Sequence, residues 1–230
     1  MTEADPGAFL AATHYVDCDH QAVRDFAARA LAALPPGADD TRRAIALFDA
    51  VRDGLRYDPY SFSPAPEDYR ASAIAGQEAG FCVPKAILLA AVMRASGIPA
   101  ALGFADVRNH LNTPRLQELM GTDLFIYHGY VQIWLNGQSF KITPAFNMAL
   151  CARFGVRPLV FDGSADALFH EFDAADRRHM EYVNDRGLFT DFPADAFFDT
   201  FHKTYPKMAG FDRRTTGAAG FDAGFAADPN

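Results

Sequence analysis

Eight apolar residues in unbroken succession, Ala86-Ile87-Leu88-Leu89-Ala90-Ala91-Val92-Met93, constrain this chain more than any other feature. Their spacing shows neither the one-sided stripe of a surface helix nor the alternation of a half-buried strand. Punctuation at both ends supports a helix. Pro84 suits a first helical turn, where its missing N–H would have had no partner. Gly97 suits the left-handed residue just past a helix, and Pro99 cannot continue one. A helix that is apolar nearly all round is a buried helix. Cys82 stands at its start, where unpaired N–H groups and the positive end of the macrodipole favour a thiolate. A cysteine at this place also serves as a small core residue, since free cysteine is among the most buried types.

Downstream, Asp123-Leu124-Phe125-Ile126-Tyr127-His128-Gly129-Tyr130-Val131-Gln132-Ile133-Trp134-Leu135 is rich in aromatic and β-branched residues. It meets Asn136-Gly137, then Gln138-Ser139-Phe140-Lys141-Ile142-Thr143-Pro144. Asn-Gly between two such runs predicts a two-residue hairpin turn with positive φ at both positions. Paired residues then sum to 273, setting Gln132 opposite Lys141, Ile133 opposite Phe140 and Tyr130 opposite Thr143. Side chains alternate between faces, so Val131, Ile133, Leu135, Phe140 and Ile142 belong to the core. His128, Tyr130, Gln132, Lys141 and Thr143 share the other face, available to line a cleft. Thr143 becomes the diagonal neighbour of His128, roughly 7–8 Å away by Cα.

A helix-start cysteine followed by a strand histidine resembles the transglutaminase-like cysteine enzymes. The residues that carry the likeness are Gly80-x-Cys82, then Arg94-Ala95-Ser96-Gly97-Ile98-Pro99-Ala100, then His128-Gly129-Tyr130-Val131-Gln132-Ile133, then Ile142-Thr143-Pro144. The likeness covers about residues 40–150. The resemblance implies an α+β fold of transglutaminase-like, papain-like architecture, with the cysteine helix packed on an antiparallel sheet. It further implies acyl transfer through a thioester, with Cys82 as nucleophile and His128 as proton shuttle. Substrates would be peptides, amides or acyl-thioesters, and no cofactor or metal is implied. Where the family usually carries an aspartate before the proline, this chain has Thr143. A hydroxyl accepts from the imidazole N–H and fixes its tautomer, but carries no charge to stabilise an imidazolium. Asn147 is the alternative, since an amide fills this role in papain-like proteases. The neutral third position leaves open a binding or scaffold module that kept the fold without the chemistry.

Composition narrows the function classes. A chain of 230 residues, half of them hydrophobic, buries a sizeable core. A net charge of −8 argues against nucleic acid or an anionic membrane surface as partner. No apolar run is long enough to span a bilayer, and Met1-Thr2-Glu3-Ala4-Asp5-Pro6 lacks a signal-peptide core. Three cysteines, Cys18, Cys82 and Cys151, are too sparse for a disulfide framework and fit a reducing, cytoplasmic compartment.

The remaining segments are read more coarsely. Asp19 or His20 opens a helix over residues 22–31, and Asp39 or Asp40 caps a second with Ile45, Phe48, Val51 and Leu55 on one stripe. Residues 57–70, with Pro59, Pro64 and Pro66, read as an irregular loop. A strand over residues 101–104 gives way to a polar loop holding Asp106, Arg108, Asn109 and His110, then a short helix over 115–120. His110 is a rival base, ranked below His128. Residues 156–161 suggest a strand, and 193–205 a helix. His170, Glu171, Asp173, His179 and Glu181 read as scattered surface polar groups, because no HExxH-type spacing joins them. The expectation is one domain over residues 1–205, followed by a flexible Gly- and Ala-rich tail over 206–230.

Overall fold

The computed structural model describes residues 5–109, 113–168 and 180–208. After a 3₁₀ turn at Pro6–Phe9 come α1 (Gln21–Leu31), α2 (Asp40–Gly54) and the short β1 (Arg56–Tyr57). The proline-rich stretch holds a 3₁₀ turn at Pro66–Tyr69, then α3 (Ala71–Ile74) and β2 (Ala79–Gly80). Next follow α4 (Cys82–Ala95), β3 (Ala100–Asn109), α5 (Pro114–Met120), β4 (Leu124–Leu135) and β5 (Gln138–Ile142). The described chain closes with α6 (Met148–Phe154), β6 (Met180–Phe189) and α7 (Ala194–Thr204). The four-stranded sheet is antiparallel, in the order β5-β4-β3-β6, and β1 pairs with β2 in a separate parallel ribbon.

Helix α4 is the axis of the molecule. Every residue from Cys82 to Arg94 is buried. Helices α1, α2 and α3 pack on one side of it, and β3 and β4 on the other. Both ends are fastened by buried basic side chains. The Arg94 guanidinium donates to the carbonyls of Ala100 (2.9 Å), Ala11 (2.8 Å) and Thr190 (2.8 Å), joining the helix end to β3 and to both terminal segments. That reach gives the Arg-Ala-x-Gly-Ile-Pro-Ala stretch its physical meaning. Gly97 takes φ 78°, and the N–H groups of Gly97 and Ile98 cap the carbonyls of Arg94 and Met93. At the other end Lys85, fully buried, donates to the carbonyls of Arg52 (2.7 Å) and Leu55, closing the end of α2.

The predicted hairpin is present in its predicted register, from Val131↔Ile142 to Leu135↔Gln138, with φ 53° at Asn136 and 80° at Gly137. Val131, Ile133, Leu135, Phe140 and Ile142 are all buried. The ladder ends at Ile142, because Thr143 leaves it and donates its N–H to the Ala167 carbonyl (2.8 Å). The opposite face is not an open cleft wall. Tyr130 is buried there with Ala105 and Val107, under Leu168, Tyr182 and Leu188. His20 and Asp39 cap α1 and α2 through their side chains, as two of the sequence alternatives had it. On α2, Ala44 and Leu47 join Phe48 and Val51 in the buried stripe, while Ile45 is half-buried.

Two elements differ from the sequence reading. Strand β3 continues through Asp106–Asn109, read as loop, because β4 and β6 supply backbone partners on both sides. Residues 156–161 form no strand; they run as irregular backbone whose Phe161 packs against Phe48 and Phe140. His110, His170, Glu171, Asp173 and His179 lie outside the described residues. Of the expected tail, residues 206–208 are described, and Met208 is buried.

Candidate active site

Cys82 is the first residue of α4 and only 6% exposed. Phe81 precedes it without a side-chain cap, so first-turn N–H groups remain available to the sulfur. Burial pushes the thiol up from 9.0 to about 11, and the backbone N–H groups of Gly129, Val83 and Cys82 pull it the other way. The helix-start argument therefore has the right sign and loses to desolvation, a term that a local motif does not reveal. Cys151 is also pushed up to about 11 and Cys18 is raised, both chiefly by burial. All three are free thiols.

The Gly129 N–H follows directly on His128 in the chain, so β4 passes Cys82 at this point. A glycine is needed for that approach. A Cβ on Gly129 would lie 3.0 Å from the Cys82 carbonyl oxygen, 3.0 Å from the Ala86 Cβ and 3.3 Å from the Val83 Cα. His128 is buried.

Immediately before His128 the β3–β4 pairing slips by one residue. Ala105 pairs with His128 but Val107 with Phe125, so Asp106 faces both Ile126 and Tyr127. Such bulges re-aim the side chains beside them. Tyr127 takes φ 52°, an uncommon value for a bulky residue. Asp106 holds it there by accepting the Tyr127 N–H (3.1 Å). Arg186 clamps the same carboxylate through Nε (2.6 Å) and Nη2 (2.9 Å), with its guanidinium 4.1 Å from the Tyr127 ring centroid. Arg186 is itself the extra residue of a second bulge, between the Phe104↔Gly187 and Ala105↔Asp185 pairs.

Thr143 and Asn147 are placed differently from each other. Thr143 is 2% exposed, and its buried hydroxyl has no hydrogen-bond partner among the described residues. The expected bond between that hydroxyl and the His128 ring is thus not made in this structure, Thr143 having been drawn to Ala167. The Asn147 carboxamide oxygen accepts the Tyr57 N–H (3.3 Å), which anchors β1. Arg108 pairs with Asp123 (3.2 Å), both well exposed. Glu181 sits on β6 opposite Arg108.

A cleft of about 500 Å³, its mouth included, opens beside Cys82. Its walls come from Tyr57 and Phe62 before α4, Phe125 and Ile126 at the start of β4, and Phe197 and Phe201 on α7. The sequence reading missed α7 as part of this wall. Its signal was available: Phe197, Phe201 and Tyr205 recur at four-residue spacing, one face of a helix. Among the described residues no group of three His, Cys, Asp or Glu side chains could hold a metal ion. No helix among them is long and apolar enough to cross a membrane.

The family model of the transglutaminase-like superfamily matches residues 28–142, half of the chain. The protein belongs to that superfamily of cysteine-dependent enzymes, in an α+β fold with the cysteine helix packed on an antiparallel sheet. Among solved structures it is similar to a putative cysteine protease from Cytophaga hutchinsonii, at 17% identity and a TM-score of 0.45, over 81% of this chain and 55% of that one. A putative protease from Parabacteroides distasonis is similar at 17% identity and a TM-score of 0.38, over 59% of this chain and 26% of that one. The chain thus spans about half the length of the first of these structures and a quarter of the second. No curated protein matches it.

Proposed function

We propose that the protein is a cysteine-dependent acyl-transfer enzyme, acting on an amide, peptide or acyl-thioester through a thioester on Cys82. The observation that carries this reading is Cys82 at the uncapped start of the buried helix α4, with Gly129, the neighbour of His128, packed against its first turn. In the first half-reaction His128 takes the thiol proton and the sulfur bonds to the carbonyl carbon. The tetrahedral adduct collapses as the bond to the leaving amine or thiol breaks, and His128 returns the proton to that group. In the second, water or an amine attacks the thioester while His128 again takes and gives the proton, and the Cys82 thiol is restored. The Cys82 backbone N–H is the proposed oxyanion donor.

Thr143 is the proposed partner that orients the imidazole. Its hydroxyl is buried with an acceptor to offer, whereas the Asn147 oxygen is already engaged by Tyr57. Because the resting thiol sits at about 11, the reading requires that proton transfer occur with substrate bound, when His128 and the carbonyl share the charge.

The same raised thiol, with a neutral third residue, favours the second reading: a binding module of this fold without turnover. Hydrolysis of peptide p-nitroanilides and p-nitrophenyl esters by wild type, Cys82→Ala and His128→Gln separates the two. The enzyme reading expects turnover that Cys82→Ala abolishes and His128→Gln lowers by at least about a hundredfold. Wild-type turnover no faster than that of Cys82→Ala selects the binding module.

A further inference from the structure

Among the described residues, thirteen side chains wall the cleft beside Cys82, and none of them is charged. Its polar groups are the thiol itself and the hydroxyls of Tyr57 and Tyr205. The Tyr205 hydroxyl is spoken for: it donates to the Leu124 carbonyl and accepts the Ile126 N–H, both at 2.8 Å. That pair of bonds pins the end of α7 to β4 next to the Tyr127 bulge. The helix presents Phe197 and Phe201 to the cleft, and the Phe201 ring lies parallel to Phe62, with centroids 4.1 Å apart. A charged group entering here would lose its water and meet no opposite charge among these thirteen side chains, whereas an apolar one gains by burial.

Resting on the thioester reading, we propose that this cleft selects the acyl donor: it seats an aromatic or branched aliphatic group on the acyl side of the reacting carbonyl. Helix α7 is the element that makes the selection. That helix lies beyond residues 28–142, so Phe197 and Phe201 add to the cleft from outside the region shared with the family. The acyl side is assigned because the acyl group stays bonded to Cys82 between the half-reactions, beside these walls, while the leaving group has gone.

Two assays separate this proposal from the reading beneath it. Alkylation needs the thiol and the cleft but no turnover. Rates at Cys82, read by peptide mass spectrometry, are compared for N-benzyliodoacetamide, iodoacetamide and iodoacetate, each divided by its rate with glutathione. The benzyl reagent should exceed iodoacetamide by at least about tenfold. Iodoacetate should trail it by a similar factor. With p-nitrophenol held constant as leaving group, 3-phenylpropionyl esters should exceed hemisuccinyl esters in kcat/KM by the same order. Met208→Lys, at the cleft wall, should reverse the ranking of iodoacetate and the benzyl reagent; Phe201→Ala should erase the benzyl preference. Equal normalised rates for all three reagents in the folded wild type would overturn the proposal, even with turnover intact. Absent turnover with the alkylation preference preserved would overturn the thioester reading and leave the cleft assignment standing.

Discussion

Lys85 lies one turn beyond Cys82 and offers a measurable test of how dry the base of α4 is. Its ammonium is fully buried, and burial lowers its pKa from 10.5 to about 7, with Asp53 opposing that shift and Arg52 adding to it. Both of its hydrogen bonds go to carbonyls, and the two N–H groups of the neutral amine are enough to keep them. Between pH 7 and 10.5 the unfolded chain therefore binds a proton at this residue that the folded protein does not, so stability rises with pH in that window. Each pH unit contributes about 1.4 kcal/mol. Going from pH 7.5 to 9.0 should raise wild-type stability by about 2 kcal/mol relative to Lys85→Met, which has no group to titrate. The buried thiols work in the opposite direction: Cys82 and Cys151 hold their protons up to about 11 when folded, so stability falls as pH rises above 9. Both proteins share that loss, and it cancels in the comparison. Urea unfolding of each at the two pH values gives the difference directly. A gap between wild type and Lys85→Met that stays constant with pH would refute the argument, since it would mean that Lys85 keeps its ordinary pKa and that water reaches the α2–α4 junction.

Further outcomes follow from the sheet and from Thr143 just beyond it. In Gly103→Ala the new Cβ would fall 2.1 Å from the buried Tyr130 ring, so urea unfolding should show a loss of about 1–3 kcal/mol. Asp106→Ala removes the acceptor that holds Tyr127 at positive φ and leaves Arg186 without its bidentate partner. We expect about 2 kcal/mol lost in urea unfolding, after allowing for the partial exposure of Arg186, and a fall in turnover beyond what the folded fraction explains, as His128 shifts with the bulge. Thr143→Val deletes a buried hydroxyl that has no partner at rest, so thermal unfolding should be unchanged or raised while turnover falls. Thr143→Asp, if the chain folds, should lower the pH at which Cys82 is alkylated by holding His128 as its cation.

What could be read in the sequence was local chemistry. Helix α4 was legible because its apolar run and its Pro84 and Gly97 punctuation act within a few residues. The hairpin register was legible because two residues, Asn136 and Gly137, fix it. The candidate nucleophile and base could be named for the same reasons. The extension of β3 and the bulge before His128 were not legible, because they depend on Asp106 meeting Arg186 across 80 positions of sequence. Nor was the state of the Cys82 thiol. The helix start and its N–H donors are visible in the motif, but the burial that outweighs them is built by walls such as α7, more than a hundred residues away. The departure of Thr143 from the hairpin depends likewise on Ala167, a partner that no turn rule announces.

The central claim is that Cys82 carries the acyl group and His128 moves the proton. Its most direct test is an acid-quenched reaction of the intact protein with 3-phenylpropionyl p-nitrophenyl ester, followed by peptide mapping. The account predicts an added phenylpropionyl mass on the peptide containing Cys82, absent from Cys82→Ala and forming far more slowly in His128→Gln. Acylation at another residue, or a Cys82 adduct whose rate is indifferent to His128→Gln, would contradict it.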